Sequence, residues 1–136
     1  MVPADFQKPE HDDPWGGAFG AALAVRAGDF VYTSALGGVT GMDEGVPQFA
    51  ETFDEQLSLV GEHVSRRLEH FGCSTEDIVD ATVWLHPSVD IDPGQVLDQL
   101  QEQVFGGGSP ALSLARVATA YDDSLVCVKV VAYRPR

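Results

Sequence analysis

The stretch SPALSLARVATAYDDSLVCVKVVAYRP, residues 109–135, decides how the chain is read. It divides into SPALSLARVATA, the polar turn YDDS and LVCVKVVAYRP, a pattern that predicts two strands joined as a hairpin. In the second strand Val126, Val128 and Val130 alternate with Cys127, Lys129 and Val131, the period of two expected of a pleated surface. A lysine inside such a run is unusual, because an ammonium buried without a partner is costly and tends to lose its proton. Arg116 holds a similar place in the first strand. These two strands are expected to carry part of the function.

The flanking segments supply the rest of an α+β pattern. Residues 1–21 form an irregular lead-in, with GGAFGAA after Trp15, and residues 22–136 form a single domain. LAVRAGDFVYTS (23–34) predicts a hairpin turning at Ala27-Gly28-Asp29. GGVTGMDEG (37–45) reads as a flexible loop at the rim of a site. Phe49, Phe53, Leu57, Val60, Val64, Leu68 and Phe71 mark one apolar face of a helix over 48–70 that stops near Gly72. Ser74-Thr75-Glu76-Asp77 resembles an N-cap and leads through a short turn into a strand over 78–85, ended by His86-Pro87. Asp92-Pro93 starts a second helix with Val96, Leu97, Leu100 and Val104 inward, and Gly106-Gly107-Gly108 ends it. The order β-β-α-β-α-β-β places both helices on one face of a mixed sheet. Apolar residues on both faces of the last strand call for a second subunit over the other face.

Composition narrows the classes of function. A chain of 136 residues with 44% hydrophobic content builds one packed domain. Twenty-one acidic residues against eight basic ones give a net charge of -13, which disfavours nucleic acid and anionic membranes as partners. Cys73 and Cys127 are far apart, and no long apolar run is present, so the chain reads as reduced, soluble and cytoplasmic. The histidines lack metal-ligand spacing with a third partner, so no metal is expected; no phosphate-binding loop occurs, and no cofactor is expected either.

AVRAGDFVYTS, GCSTEDIVDATVWL, SPALSLARVA and LVCVKVVAY together resemble the Rid proteins (reactive intermediate deaminases, YjgF-like) from about residue 23 to 133. The resemblance implies a chorismate-mutase-like α+β fold, assembled as a homotrimer around a barrel, with ligand clefts between subunits. It also implies metal-free hydrolysis of reactive enamines and imines to keto acids and ammonia. The chain departs from that family's site. The motif Pro-Ala-Arg-Ser reads Pro110-Ala111-Leu112-Ser113, so the arginine that pairs with a substrate carboxylate is missing. The family's glutamate falls at Lys129, its Ser-Gly at Ser34-Ala35, and its tyrosine near Ala21.

A rearranged cleft is therefore expected. Leu112, Leu114 and Arg116 share a strand face, and Lys129 shares one with Cys127 on what is expected to be the adjacent strand. Arg116 would orient or polarise the substrate, Lys129 would transfer a proton or form an imine, and Ser34 would donate a hydrogen bond. The plainer alternative is that Lys129 pairs with an acid such as Asp80. Trp15, Phe19, Tyr32, Trp84 and Tyr121 could line an apolar pocket, although Tyr32 and Trp84 also fit as ordinary core aromatics. His86 falls where the family's clefts open, whereas His63 and His70 are expected in solvent. Cys127 reads more readily as a small core residue than as a nucleophile. The expected function is a small-molecule enzyme acting on a carbonyl, imine or enamine intermediate by hydrolysis, cyclisation or dehydration, in a specialised biosynthetic pathway. The alternatives are a deaminase in which Arg116 replaces the lost anchor, and a trimer that binds a ligand or partner without catalysis.

Overall fold

The computed structural model describes residues 4–7, 22–118 and 120–135. Within the lead-in expected to be irregular, Asp5–Gln7 forms a short strand, β1, antiparallel to β2 (Ala24–Ala27). Gly28, at φ 61°, turns β2 into β3 (Phe30–Thr33), the hairpin predicted for that segment.

Residues 37–45 are mostly strand rather than loop. β4 (Leu36–Gly37) is followed by β5 (Val39–Asp43), which pairs with β6 (Val46–Phe49) through Glu44 and Gly45, both at positive φ. A two-residue turn of that hand matches the twist of its strands, so Gly41 and Gly45 belong to a hairpin, while Gly37 ends β4. The first helix consequently starts later than expected, as α1 (Phe53–His70), and Phe49 belongs to β6. Thr52 caps it, its hydroxyl accepting the Glu55 N–H at 3.2 Å, and Asp54 and Glu55 sit favourably in the first turn.

The Ser74 N–H donates to Asp77 Oδ2 at 2.8 Å across a one-turn 3-10 segment, which leads into β7 (Ile78–Leu85) with the predicted bounds. Asp92 caps α2 (Pro93–Gln103). Val96, Leu100 and Val104 are buried as expected, but Leu97 is 37% exposed, one position off their four-residue line.

The largest correction concerns the closing strands, β8 (Ala111–Arg116) and β9 (Val126–Tyr133). They are not a hairpin. β7 lies between them, parallel to β8 and antiparallel to β9, and the sheet order is β1-β2-β3-β9-β7-β8, with β4 also on β9. The β7–α2–β8 unit is a parallel crossover, and the polar turn carries the chain past β7 instead of folding β9 back onto β8. Both helices cover one face of the sheet. Leu57, Val60, Val64 and Leu68 of α1 and Val96 and Leu100 of α2 pack on Ala81, Val83, Leu85, Val126, Val128 and Val130. A Cβ at Gly61 would stand 2.1 Å from the Gln103 carbonyl oxygen, so glycine is what lets the end of α2 approach α1. The fold is α+β: one mixed sheet with two helices on one side.

Candidate functional site

Among the described residues no helix or strand covers the other face of the sheet. On β9 Val126, Val128, Val130 and Ala132 turn to the helices, while Cys127, Lys129, Val131 and Tyr133 turn outward. Register places Tyr32 opposite Val131, Thr82 opposite Lys129, and Trp84 opposite Cys127. Tyr32 is 42% exposed on this face, so it is not a core aromatic, and the Phe30 and Tyr133 rings meet at 5.1 Å.

One end of this face sinks into a cavity of about 380 Å³. Trp84 and Cys127 contribute from the sheet, and Ala35 and Phe49 line one side. Val117, Ala118, Ala120, Tyr121 and Ser124 line the other. Phe49 and Tyr121 face one another with ring centres 6.0 Å apart. Among the described residues the lining includes no Asp, Glu, Lys, Arg or His. The Cys127 thiol lies 3.3 Å from the Ser124 hydroxyl; burial pushes it up, and that hydrogen bond opposes the shift. A thiol so placed stays protonated at neutral pH, which fits a wall residue rather than an activated nucleophile.

Gln56, 1% exposed on α1, ties the two sides together. Its Nε2 donates to the carbonyls of Ala50 and Asp123, and its Oε1 accepts the Leu125 N–H, each at 2.8 Å. The sequence reading missed Gln56, Phe49 as a lining residue, and Ser124. The available signal was an amide at position 56, within the buried stripe of the first helix.

Beside the cavity lies Lys129. β3 and β4 pair with β9 at Tyr32–Val131 and Leu36–Val128, so residues 33–35 oppose only Val130 and Lys129. The extra residue is a bulge at Ser34-Ala35, a device that re-aims side chains and is common next to sites. Ser34 and Lys129 are thereby neighbours. Lys129 is exposed and has no hydrogen-bond or ion-pair partner among the described residues, so the pairing with Asp80 is not formed within one chain.

Arg116 is elsewhere. Leu112, Leu114 and Arg116 lie opposite Ala81, Val83 and Leu85, on the helix-covered face, where Leu112 and Leu114 pack against the core. The Arg116 guanidinium donates to the carbonyls of Val89 and of Ile91, the latter at 2.7 Å, and so pins the loop before α2. The expected adjacency of the two cations fails within one chain because β7 separates their strands. His86, half-buried at the end of β7, is 2.7 Å from the Ser88 hydroxyl and does not line the cavity. His70 is exposed as expected, but His63 is buried, its Nε2 2.9 Å from the Val39 carbonyl. Trp15 and Phe19 lie outside the described residues. Among the described residues no group of three or more His, Cys, Asp or Glu could hold a metal ion.

Two helices on one mixed sheet, with a pocket beside a bulged strand, make an α+β fold, and comparison with known proteins identifies the family. The chain belongs to the Endoribonuclease L-PSP family (Rid, YjgF-like), whose model matches residues 17–134. It is 25% identical over 112 residues to a RutC family protein of Pyrococcus abyssi, covering 82% of this chain and 84% of that one. A YjgF/YER057c/UK114 family structure from Mycobacterium tuberculosis is similar at a TM-score of 0.73 and 20% identity, over 96% of this chain and 99% of that one. RidA from Psychrobacter sp. PAMC 21119 is similar at a TM-score of 0.63 and 26% identity, over 82% and 86%. TdcF of E. coli, solved with bound serine, is similar at 0.68 and 24%, over 83% and 87%. No helix among the described residues is long and apolar enough to cross a membrane.

Proposed function

We propose that this chain is a small-molecule enzyme of the Rid family that acts on a carbonyl, imine or enamine intermediate with an apolar body. The observation that carries the reading is a cavity whose described lining bears no charged residue, next to Lys129 and the Ser34-Ala35 bulge. Where the family keeps an arginine for a substrate carboxylate, this chain has Leu112, and the described residues of the cavity lining offer no replacement cation. An amino-acid-derived imine would leave its carboxylate without a counter-charge there, which is costly. Lys129 serves as the group that moves a proton or captures the carbonyl, with the Ser34 hydroxyl beside it.

Assembly belongs to the same reading. The aromatic and aliphatic side chains on the open sheet face, Phe30, Tyr32, Val131 and Tyr133, suit burial between copies, and a homotrimer would form clefts in which Arg116 of one copy could approach the pocket of another. In such a cleft Arg116 could orient a substrate, though its two carbonyl bonds favour a role in holding the loop. The family's name points to RNA cleavage, but a net charge of -13 argues against a phosphate backbone as substrate.

The test is turnover of neutral aldehydes, ketones and their imines by the wild-type chain and by Lys129→Met. Loss of turnover with the assembly intact is expected, and full activity in the variant would remove Lys129 from the mechanism. A second reading, a ligand-binding trimer without catalysis, is favoured by the loss of the arginine at Leu112. It predicts ligand-induced stabilisation in both proteins and turnover in neither.

A further inference from the structure

We infer that the cavity takes an uncharged apolar aldehyde or ketone and that Lys129 binds its carbonyl carbon covalently as an imine, a step that rests on the small-molecule reading above. Three observations converge on it. The described lining carries hydroxyl and thiol groups at Tyr121, Ser124 and Cys127 and, among the described residues, no cation or carboxylate, so it solvates a carbonyl dipole and penalises an anion. Lys129 stands two residues from Cys127 on the same face of β9, roughly 7 Å along the strand. Its four-carbon stem can span that distance toward the cavity. Finally, Lys129 has no acidic partner among the described residues, and it is flanked by Thr82 across one strand and by the bulge at Ser34-Ala35 across the other.

The chemistry balances without any further reagent. The ammonium releases a proton to solvent, and the nitrogen lone pair adds to the carbonyl carbon as the C=O π pair moves to oxygen. The resulting carbinolamine loses that oxygen as water while nitrogen forms the C=N bond, so amine plus carbonyl gives imine plus water. Hydrolysis runs the same steps in reverse. Once protonated, the imine draws electrons from the neighbouring carbon, which serves dehydration and ring closure alike.

The chain has one other lysine, Lys8, which provides an internal control. The full-length protein is incubated with benzaldehyde and sodium cyanoborohydride, and the reduced adduct is located by peptide mass mapping. Labelling of Lys129 is expected to exceed that of Lys8 by at least about tenfold, as proximity in a pocket accelerates an otherwise bimolecular step. Saturating benzyl alcohol should suppress it, and 4-carboxybenzaldehyde should label poorly. Occupancy is followed separately by Trp84 fluorescence in a Trp15→Phe background. If benzyl alcohol perturbs Trp84 but both lysines label equally, the imine step is overturned and the small-molecule reading stands. Equal labelling of Lys129 by the carboxylated aldehyde overturns the neutral ligand class. If neither neutral probe perturbs Trp84, the apolar-pocket reading falls along with the imine step.

Discussion

Gln56 holds the cavity open by bonds rather than by bulk. Its side-chain hydrogen bonds join the end of β6, which carries Phe49, to the turn that carries Tyr121 and Ser124. Gln56→Leu keeps the volume but strands two carbonyls and an N–H in the interior. A loss of about 2–4 kcal/mol in urea unfolding is expected, because each buried polar group left without a partner costs about 1–3 kcal/mol. A change below about 1 kcal/mol would mean that water takes over these bonds. The thiols give a pH signature. Burial raises both Cys73 and Cys127, Arg26 pulling Cys73 partly back, so the folded chain favours the protonated forms. Their contribution to stability is therefore full below the ordinary thiol range and is lost as pH rises through the raised values. Iodoacetamide should label Cys127 only above the range of a free thiol, about 8.5, and labelling at pH 7 as fast as free cysteine would contradict the assignment. Lys129 was legible as an anomaly, since a charge in a strand of valines breaks the pattern. Arg116 was equally conspicuous, but its answer lay in carbonyls of a loop 25 residues or more away, which no spacing rule reaches.

At the level of elements, period alone recovered β7 and the buried stripe of α2, because alternation and helical spacing are written into adjacent residues. What it could not supply was which strands are neighbours. A polar turn between two apolar runs predicts a hairpin, yet β7 comes between β8 and β9 because the α2 crossover delivers β8 to the outer edge. Lys129 and Arg116 were placed on one surface by that error. The glycines of residues 37–45 misled in the opposite direction, since a left-handed turn uses glycine inside a hairpin as readily as a loop does. Gly61 tests the helix packing directly. Gly61→Ala raises helix propensity, but the added methyl meets the Gln103 carbonyl oxygen, so the end of α2 must shift. A net loss of about 1–3 kcal/mol in chemical denaturation is expected from such overpacking, and a stabilised variant would show that the α1–α2 contact yields freely.

Across the whole molecule, the sheet has one face sealed by helices and one face that presents Phe30, Tyr32, Val131 and Tyr133 around a lysine. The family resemblance made the fold and the proposed trimer legible, while the chain's own residues said only that something must cover the second face. Tyr32→Glu sets a charge into that face and should lower the mass measured by light scattering at micromolar concentration, with the far-UV spectrum unchanged. A wild-type chain that is already monomeric there would remove the assembly from the reading. The position of β9 has a further consequence, for the order of folding. This strand bonds β3 on one side and β7 on the other, bringing Phe30 against Tyr133 and Trp84 against Cys127. A nascent chain in which β9 is not yet made therefore lacks the strand that joins β3 to β7 and much of the surface that α1 covers. The pairing of β3 with β9 joins Phe30 to Tyr133, distant in sequence, the kind of contact that makes folding slow.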